Sequence, residues 1–234
     1  MAKLITLLQV GRRKLLHRVV VAPMTRYRAD DENVQLAYVK EYYSQRTCVP
    51  GTLVVTEATY ISPRSIGAHS TPGVWSEAQI SARKEVTRAV HGHGSFIFCQ
   101  LWALGQAADA ELLKKKGEKF GSSSAVPIND QSPVPEPLTE EEIQLFINDF
   151  VQAAKHAIDA GFDGVEIHGA NGYLVDQFIQ DTCNKRTEMV GDGECLILHI
   201  LDPASQSRLL LFSCHLSGIL FLQCCISACA LLFD

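Results

Sequence analysis

No two of the 8 cysteines in this 234-residue chain stand as a CxxC pair of metal-ligand spacing. Reduced thiols are therefore expected, and neither a metal knuckle nor a disulfide framework is. A basic excess is also missing. Against 26 Asp and Glu there are 21 Lys and Arg, giving a formal net charge of -5 and a pI near 5.9. That balance offers nucleic acid no attractive field, and Arg12-Arg-Lys14 is too short a patch to change it. Residues 1–10 hold one Lys and a short apolar stretch but no small-residue cleavage pattern, which argues against a secretory signal and for a cytoplasmic location.

The last absence is regional. Residues 209–233 contain no Asp, Glu, Lys or Arg, a run long enough to cross a hydrocarbon layer of about 30 Å as a helix. Against an anchor stand His215, Gln223, several Ser, the cysteines 214, 224, 225 and 229, a single flanking cation in Arg208 and no aromatic belt. Membrane attachment is thus the less favoured reading.

What is present describes a globular α/β chain. A hydrophobic share of 47% with 20% charged residues excludes bulk disorder and suffices for one sizeable core. β-rich runs at residues 19–23, 53–59, 96–101 and 164–168 read as strands, and helical patterns at 36–46, 77–90 and 140–160 fall between them. Residues 4–10 and 15–18 flank Gly11-Arg-Arg-Lys14 as a hairpin ahead of this series. Thr139 and Glu142 form a capping box, and Ile143, Phe146, Ile147, Phe150, Ala154, Ala157 and Ile158 follow at helical spacing. Residues 114–137 are polar, with Ser and Pro, and read as a surface excursion. His91-Gly-His93 reads as a helix end rather than a metal pair. Cys99 reads as a packing residue on the strand face opposite Gln100.

The most informative segment is Gly161-Phe-Asp-Gly-Val-Glu-Ile-His168-Gly-Ala-Asn171-Gly-Tyr173. Its apolar run ends in three polar side chains, a strand delivering a loop at the carboxyl end where α/β sites form. His168 and Asn171 can donate hydrogen bonds toward one point, and Tyr173 keeps its proton at pH 7, a phenol having a pKa of about 10. Two donors and an acid suit a carbonyl-bearing substrate. The same residues also fit a satisfied core histidine, an Asn-Gly turn and a packing aromatic.

Six stretches in order decide between these readings. They are Val21-Ala-Pro-Met-Thr25-Arg-Tyr-Arg, Glu41-Tyr-Tyr-Ser-Gln-Arg46, Gly51-Thr-Leu-Val-Val-Thr-Glu-Ala58-Thr, Pro72-Gly-Val-Trp-Ser-Glu77, Gln100-Leu-Trp-Ala-Leu-Gly105 and Gly164-Val-Glu-Ile-His168-Gly-Ala-Asn171-Gly-Tyr173. Together they resemble the Old Yellow Enzyme family of FMN-dependent, NADPH-driven ene-reductases. Phe96-Ile-Phe-Cys-Gln-Leu-Trp-Ala is similar to its fungal branch, which includes aldehyde reductases of ergot-alkaloid pathways. The resemblance covers residues 4–187 and stops inside a motif, as translation through an intron or a shifted frame would produce.

The resemblance implies the amino-terminal half of a (β/α)8 TIM barrel over residues 1–187, about four strand-helix units, with residues 188–234 an unrelated apolar, Cys-rich tail that is no domain. It implies FMN along Pro23, Met24, Thr25, Ala58, Gln100 and His168. His168 and Asn171 would grip the carbonyl oxygen of an enal or enone, and Tyr173 would be the proton donor. The family's phosphate-binding loops follow late strands with no counterpart here, so impaired activity is expected. The alternative is a non-catalytic remnant that folds with a partner chain or is anchored by its tail. Open barrel edges would invite self-association.

Overall fold

The computed structural model describes residues 3–187 together with the backbone of two strands at residues 210–216 and 219–221. Strands β1 (Leu8–Val10) and β2 (Arg13–Leu15) form an antiparallel hairpin turned at Gly11. β3 (Val20–Val21), helix α1 (Val39–Arg46), β4 (Leu53–Val55), β5 (Thr59–Tyr60), α2 (Glu77–Gly92) and β6 (Phe96–Trp102) follow. After α3 (Ala110–Lys116) come a short pair, β7 (Gly121–Ser122) and β8 (Glu136–Pro137), then α4 (Glu140–Asp159), β9 (Gly164–Gly169) and α5 (Leu174–Ile179). Beyond these lie β10 (Leu210–Leu216) and β11 (Ile219–Phe221).

The sheet runs in the order β11-β10-β9-β6-β4-β3, with β5 alongside β6, and its pairs are parallel except β10 with β11. Period-two alternation sorts its residues. Val21, Val54, Ile97, Cys99, Leu101, Val165 and Ile167 share one apolar cluster with Tyr43 of α1, Val86 and Val90 of α2, and Ile147, Phe150 and Ala154 of α4. Their neighbours Val20, Leu53, Phe96 and Phe98, near the strand starts, pack instead on Leu8, Val10 and Leu15 of the hairpin. Helices therefore cover the outer face, and the hairpin floors the amino-terminal end of the half-barrel.

Local chemistry explains the best-defined element. The Thr139 hydroxyl accepts the Glu142 N–H and the Glu142 carboxylate accepts the Thr139 N–H at 2.7 Å, so two free donors at the start of α4 are satisfied.

Three differences from the sequence reading have physical causes. The strand expected over residues 53–59 is interrupted, because the Glu57 N–H donates to the Tyr43 hydroxyl of α1 at 3.0 Å. The excursion at 114–137 is no plain surface loop: α3 ends in it, capped by Asp109, and Ser122 and Ser123 are fully buried. The tail expected to lie apart contributes β10, which extends the parallel sheet beside β9. A bare sheet edge offers unpaired N–H and C=O groups, and a charge-free run can fill it. The rest of the candidate anchor lies outside the described residues, among which no helix is long and apolar enough to cross a membrane.

Candidate active site

Strand phase builds the site. Gln100 and Glu166 share a face of β6 and β9, paired in register, and the Gln100 amide donates to Glu166 Oε1 at 3.2 Å. Two residues further along each strand, the same face presents Trp102 and His168. Cys99 lies on the opposite face in the apolar core, where burial raises its thiol pKa, and it has no place in the site. An apolar crevice lined by Leu138, Phe150 and Phe178 lies against α4 and α5, not at the strand ends.

At those ends four rings meet. Trp102 stacks on Tyr60 with centroids 5.4 Å apart and planes 6° apart, and Tyr173 meets Trp102 edge-on at 4.8 Å. His168 lies 4.9 Å from Tyr173 and 6.5 Å from Trp102. Burial pushes the imidazole pKa down to about 4 against an opposing pull from the Asp176 carboxylate, so His168 is neutral at pH 7. A neutral imidazole has one N–H to donate. His168 Nδ1 and Trp102 Nε1 are both buried with no hydrogen-bond partner, as ligand-facing groups would be. Burial also raises the Tyr173 pKa, with Tyr27 adding to it, and the phenol keeps its proton.

The other expected residues are spread around this centre. Asn171 is exposed at the rim in a left-handed conformation, φ 61°, two residues before Tyr173. Ala58 is buried in the same apolar cluster as Tyr60 and Trp102. Pro23, Met24 and Thr25 form the loop after β3, with Met24 56% exposed. Glu57, itself buried, holds that loop by accepting the Arg26 N–H at 2.9 Å. β3 is three strand spacings from β9, at most about 14 Å. The structure thus brings His168 and Tyr173 into contact and leaves Thr25 across the sheet.

Sequence reasoning passed over several neighbours. Glu166 is in phase with His168 and could have been found by strand alternation. Tyr27, 60% exposed with φ 52°, acts electrostatically on Tyr173 from an irregular loop with no periodic signal. Asp176 and Gln177, both buried, sit on a short helix where charge and amide look like surface residues. His91 and His93 close α2 as expected, and among the described residues no cluster suited to a metal ion occurs.

Residues 3–195 match the NADH:flavin oxidoreductase / NADH oxidase family. The chain belongs to that family. It is 59% identical over 191 residues to an NADP-dependent oxidoreductase, lnbE, of Aspergillus flavus, covering 82% of this chain and 51% of that protein. A probable inactive reductase, easA, of Epichloe festucae var. lolii is 54% identical over 191 residues, covering 81% and 50%. The chanoclavine-I aldehyde reductase fgaOx3 of Penicillium roqueforti is 54% identical over 192 residues, covering 82% and 52%. Among solved structures, Old Yellow Enzyme from Pichia sp. AKU4542 superposes with a TM-score of 0.86 at 37% identity, covering 90% of this chain and 59% of that one. The chain spans about half the length of the curated relatives it matches. Its open parallel sheet is accordingly a partial TIM barrel.

Proposed function

We propose that residues 1–187 carry the substrate side of a cytoplasmic, flavin-dependent reductase that uses NADPH to saturate the C=C bond of an α,β-unsaturated aldehyde or ketone. The observation that carries this reading is the His168–Tyr173 contact beside Trp102, with a buried, neutral imidazole whose Nδ1 has no protein partner. Thr25 follows β3 and His168 ends β9, three strands apart at the carboxyl end of the sheet, an arrangement that suits a planar ring system lying across the intervening strand ends. Pro23, Met24, Thr25, Ala58, Gln100 and His168 would hold FMN, which when bound supplies the hydride for the substrate β-carbon.

His168 and Asn171 donate to the carbonyl oxygen, drawing electron density away from the β-carbon and stabilising the enolate-like charge of the transition state. Tyr173 gives its proton to the α-carbon as general acid. Neutrality of the imidazole matters, since charging it in a buried site would cost more than the hydrogen bond returns. The chanoclavine-I aldehyde reductase among the relatives makes an alkaloid aldehyde the favoured substrate class. Residues 188–234 stand outside this unit in our reading, apart from the strand they lend to the sheet.

The test separates flavin binding from chemistry. The chain alone should lose FMN on gel filtration, because the resemblance places phosphate-binding loops in the half of the barrel it does not span. Fused after Thr187 to a family-type carboxyl half, it should retain one FMN per chain and reduce trans-2-hexenal with NADPH. A fusion that binds flavin and oxidises NADPH yet leaves the enal untouched would overturn the reading.

A further inference from the structure

Gly172, between Asn171 and Tyr173, is held at both of its backbone polar groups by two adjacent side chains. The Gly172 N–H donates to Asp176 Oδ2 at 2.7 Å, and the Gly172 carbonyl accepts from Gln177 Nε2 at 2.6 Å. Both clamping residues are buried, Gln177 completely. Gly172 and Asn171 have φ of 75° and 61°, consecutive left-handed residues of the kind that persist only when their surroundings fix them. A carboxylate on the N–H makes a charge-assisted bond, roughly twice as strong as a neutral one.

Gln177 also ties this loop to the rest of the site. Its Nε2 donates to the Leu104 carbonyl at 2.9 Å, while its Oε1 accepts from the Ser122 hydroxyl at 3.0 Å and the Gln106 N–H at 3.2 Å. A Cβ at Gly105 would stand 2.1 Å from Gln177 Oε1, so the turn that follows β6 approaches the amide only as glycine. Three separate segments thus converge on one side chain. The other Asp176 oxygen accepts from Gln180 Nε2 at 2.9 Å, which fixes the carboxylate in turn.

We propose that Asp176 and Gln177 are positioning residues that lock the Gly172 backbone and so set Asn171 and the Tyr173 phenol relative to His168. The proposal rests on the reading of this site as an ene-reductase centre. Neither residue touches the substrate; both act through the loop. The Asp176 charge, felt at His168, shows that the clamp and the imidazole are electrostatic neighbours.

The test reads hydrogen exchange on the full chain and flavin kinetics on the FMN-retaining fusion described above, comparing Asp176→Ala, Asp176→Asn and Gln177→Glu. Hydrogen exchange at residues 171–174 should rise about tenfold in Asp176→Ala, with β6 and β9 unchanged. Asp176→Asn keeps an oxygen for the Gly172 N–H and should stay near wild type. Gln177→Glu loses the Nε2 donors and should match the alanine variant, which carries the test if Asp176→Ala fails to fold. Reoxidation of the reduced flavin by trans-2-hexenal should slow about tenfold in the loosened variants, as ångström-scale misplacement does, while reduction by NADPH stays constant. Unchanged exchange at Gly172 would overturn the clamp whatever the activity. Raised exchange with both half-reactions slowed together, or neither, would overturn positioning. If the wild-type fusion binds flavin and oxidises NADPH yet leaves the enal untouched, the proposed function fails on its own, and exchange alone then decides whether the clamp exists.

Discussion

The two ends of the sheet treat their buried polar groups in opposite ways. At the amino-terminal end, Asp163 accepts from Arg13 Nε at 3.0 Å, His91 Nε2 at 2.9 Å and the Ile97 N–H at 2.8 Å, beside an apolar floor of Leu15, Leu53 and Phe98. At the carboxyl-terminal end, His168 Nδ1 and Trp102 Nε1 are buried with no partner. An unsatisfied buried group costs about 1–3 kcal/mol, so the carboxyl end is held in a state that a ligand would relieve. The floor shows no such deficit. The difference sets a paired amino-terminal floor against a carboxyl end where two ring nitrogens beside Tyr173 have no protein partner.

The largest effect that could break this contrast is kinetic. In the fusion that restores the barrel, Tyr173→Phe should slow flavin reoxidation by trans-2-hexenal by about 10² to 10⁴, the usual loss for a general acid, while leaving NADPH-driven reduction and unfolding midpoints nearly unchanged. Stopped-flow absorbance resolves the two half-reactions, and an unaffected reoxidation rate would remove Tyr173 as proton donor. At the floor the pattern should invert. Asp163→Ala strands the Ile97 N–H, the Arg13 guanidinium and the His91 imidazole, and should cost about 3 kcal/mol in urea denaturation without altering the ratio of the half-reactions.

A smaller effect comes from His168. Its folded-state pKa lies below its unfolded value of 6.5, so the unfolded chain takes up a proton first as pH falls, and stability declines between about pH 6.5 and about pH 4. Between pH 7 and pH 5 that linkage is worth about 2 kcal/mol, and His168→Phe should flatten the pH dependence of unfolding by that amount. An identical slope in the variant would show the imidazole to be ordinary. The smallest effect sets the baseline: Arg88 and Glu85 pair on the exposed face of α2, and Arg88→Ala should change stability by no more than about 0.5 kcal/mol.

What is legible in the sequence follows how locally it is encoded. Thr139 and Glu142 announce α4 because a capping box closes within four residues, and His168, Asn171 and Tyr173 announce a site because strand, turn and donors are contiguous. The Gly172 clamp is illegible for the opposite reason. Gln177 draws its partners from Leu104, 73 residues away, and from Ser122, 55 residues away, and nothing in Leu-Val-Asp-Gln-Phe-Ile separates it from a solvated helix amide. The break at Glu57 is hidden likewise, since the Tyr43 hydroxyl that takes its N–H belongs to the preceding helix. The strand recruited from the tail depends on an open sheet edge, which exists only once β9 is in place.

The Arg13–Asp163 contact joins the hairpin floor to a residue about 150 positions later, and that separation sets a schedule for a chain emerging from a ribosome. At roughly 5–20 residues per second, Asp163 leaves the tunnel about 8–30 s after Arg13. Leu53 and Phe98 emerge within that interval, so Leu8, Val10 and Leu15 gain their apolar partners before the acidic anchor that closes the floor has been made.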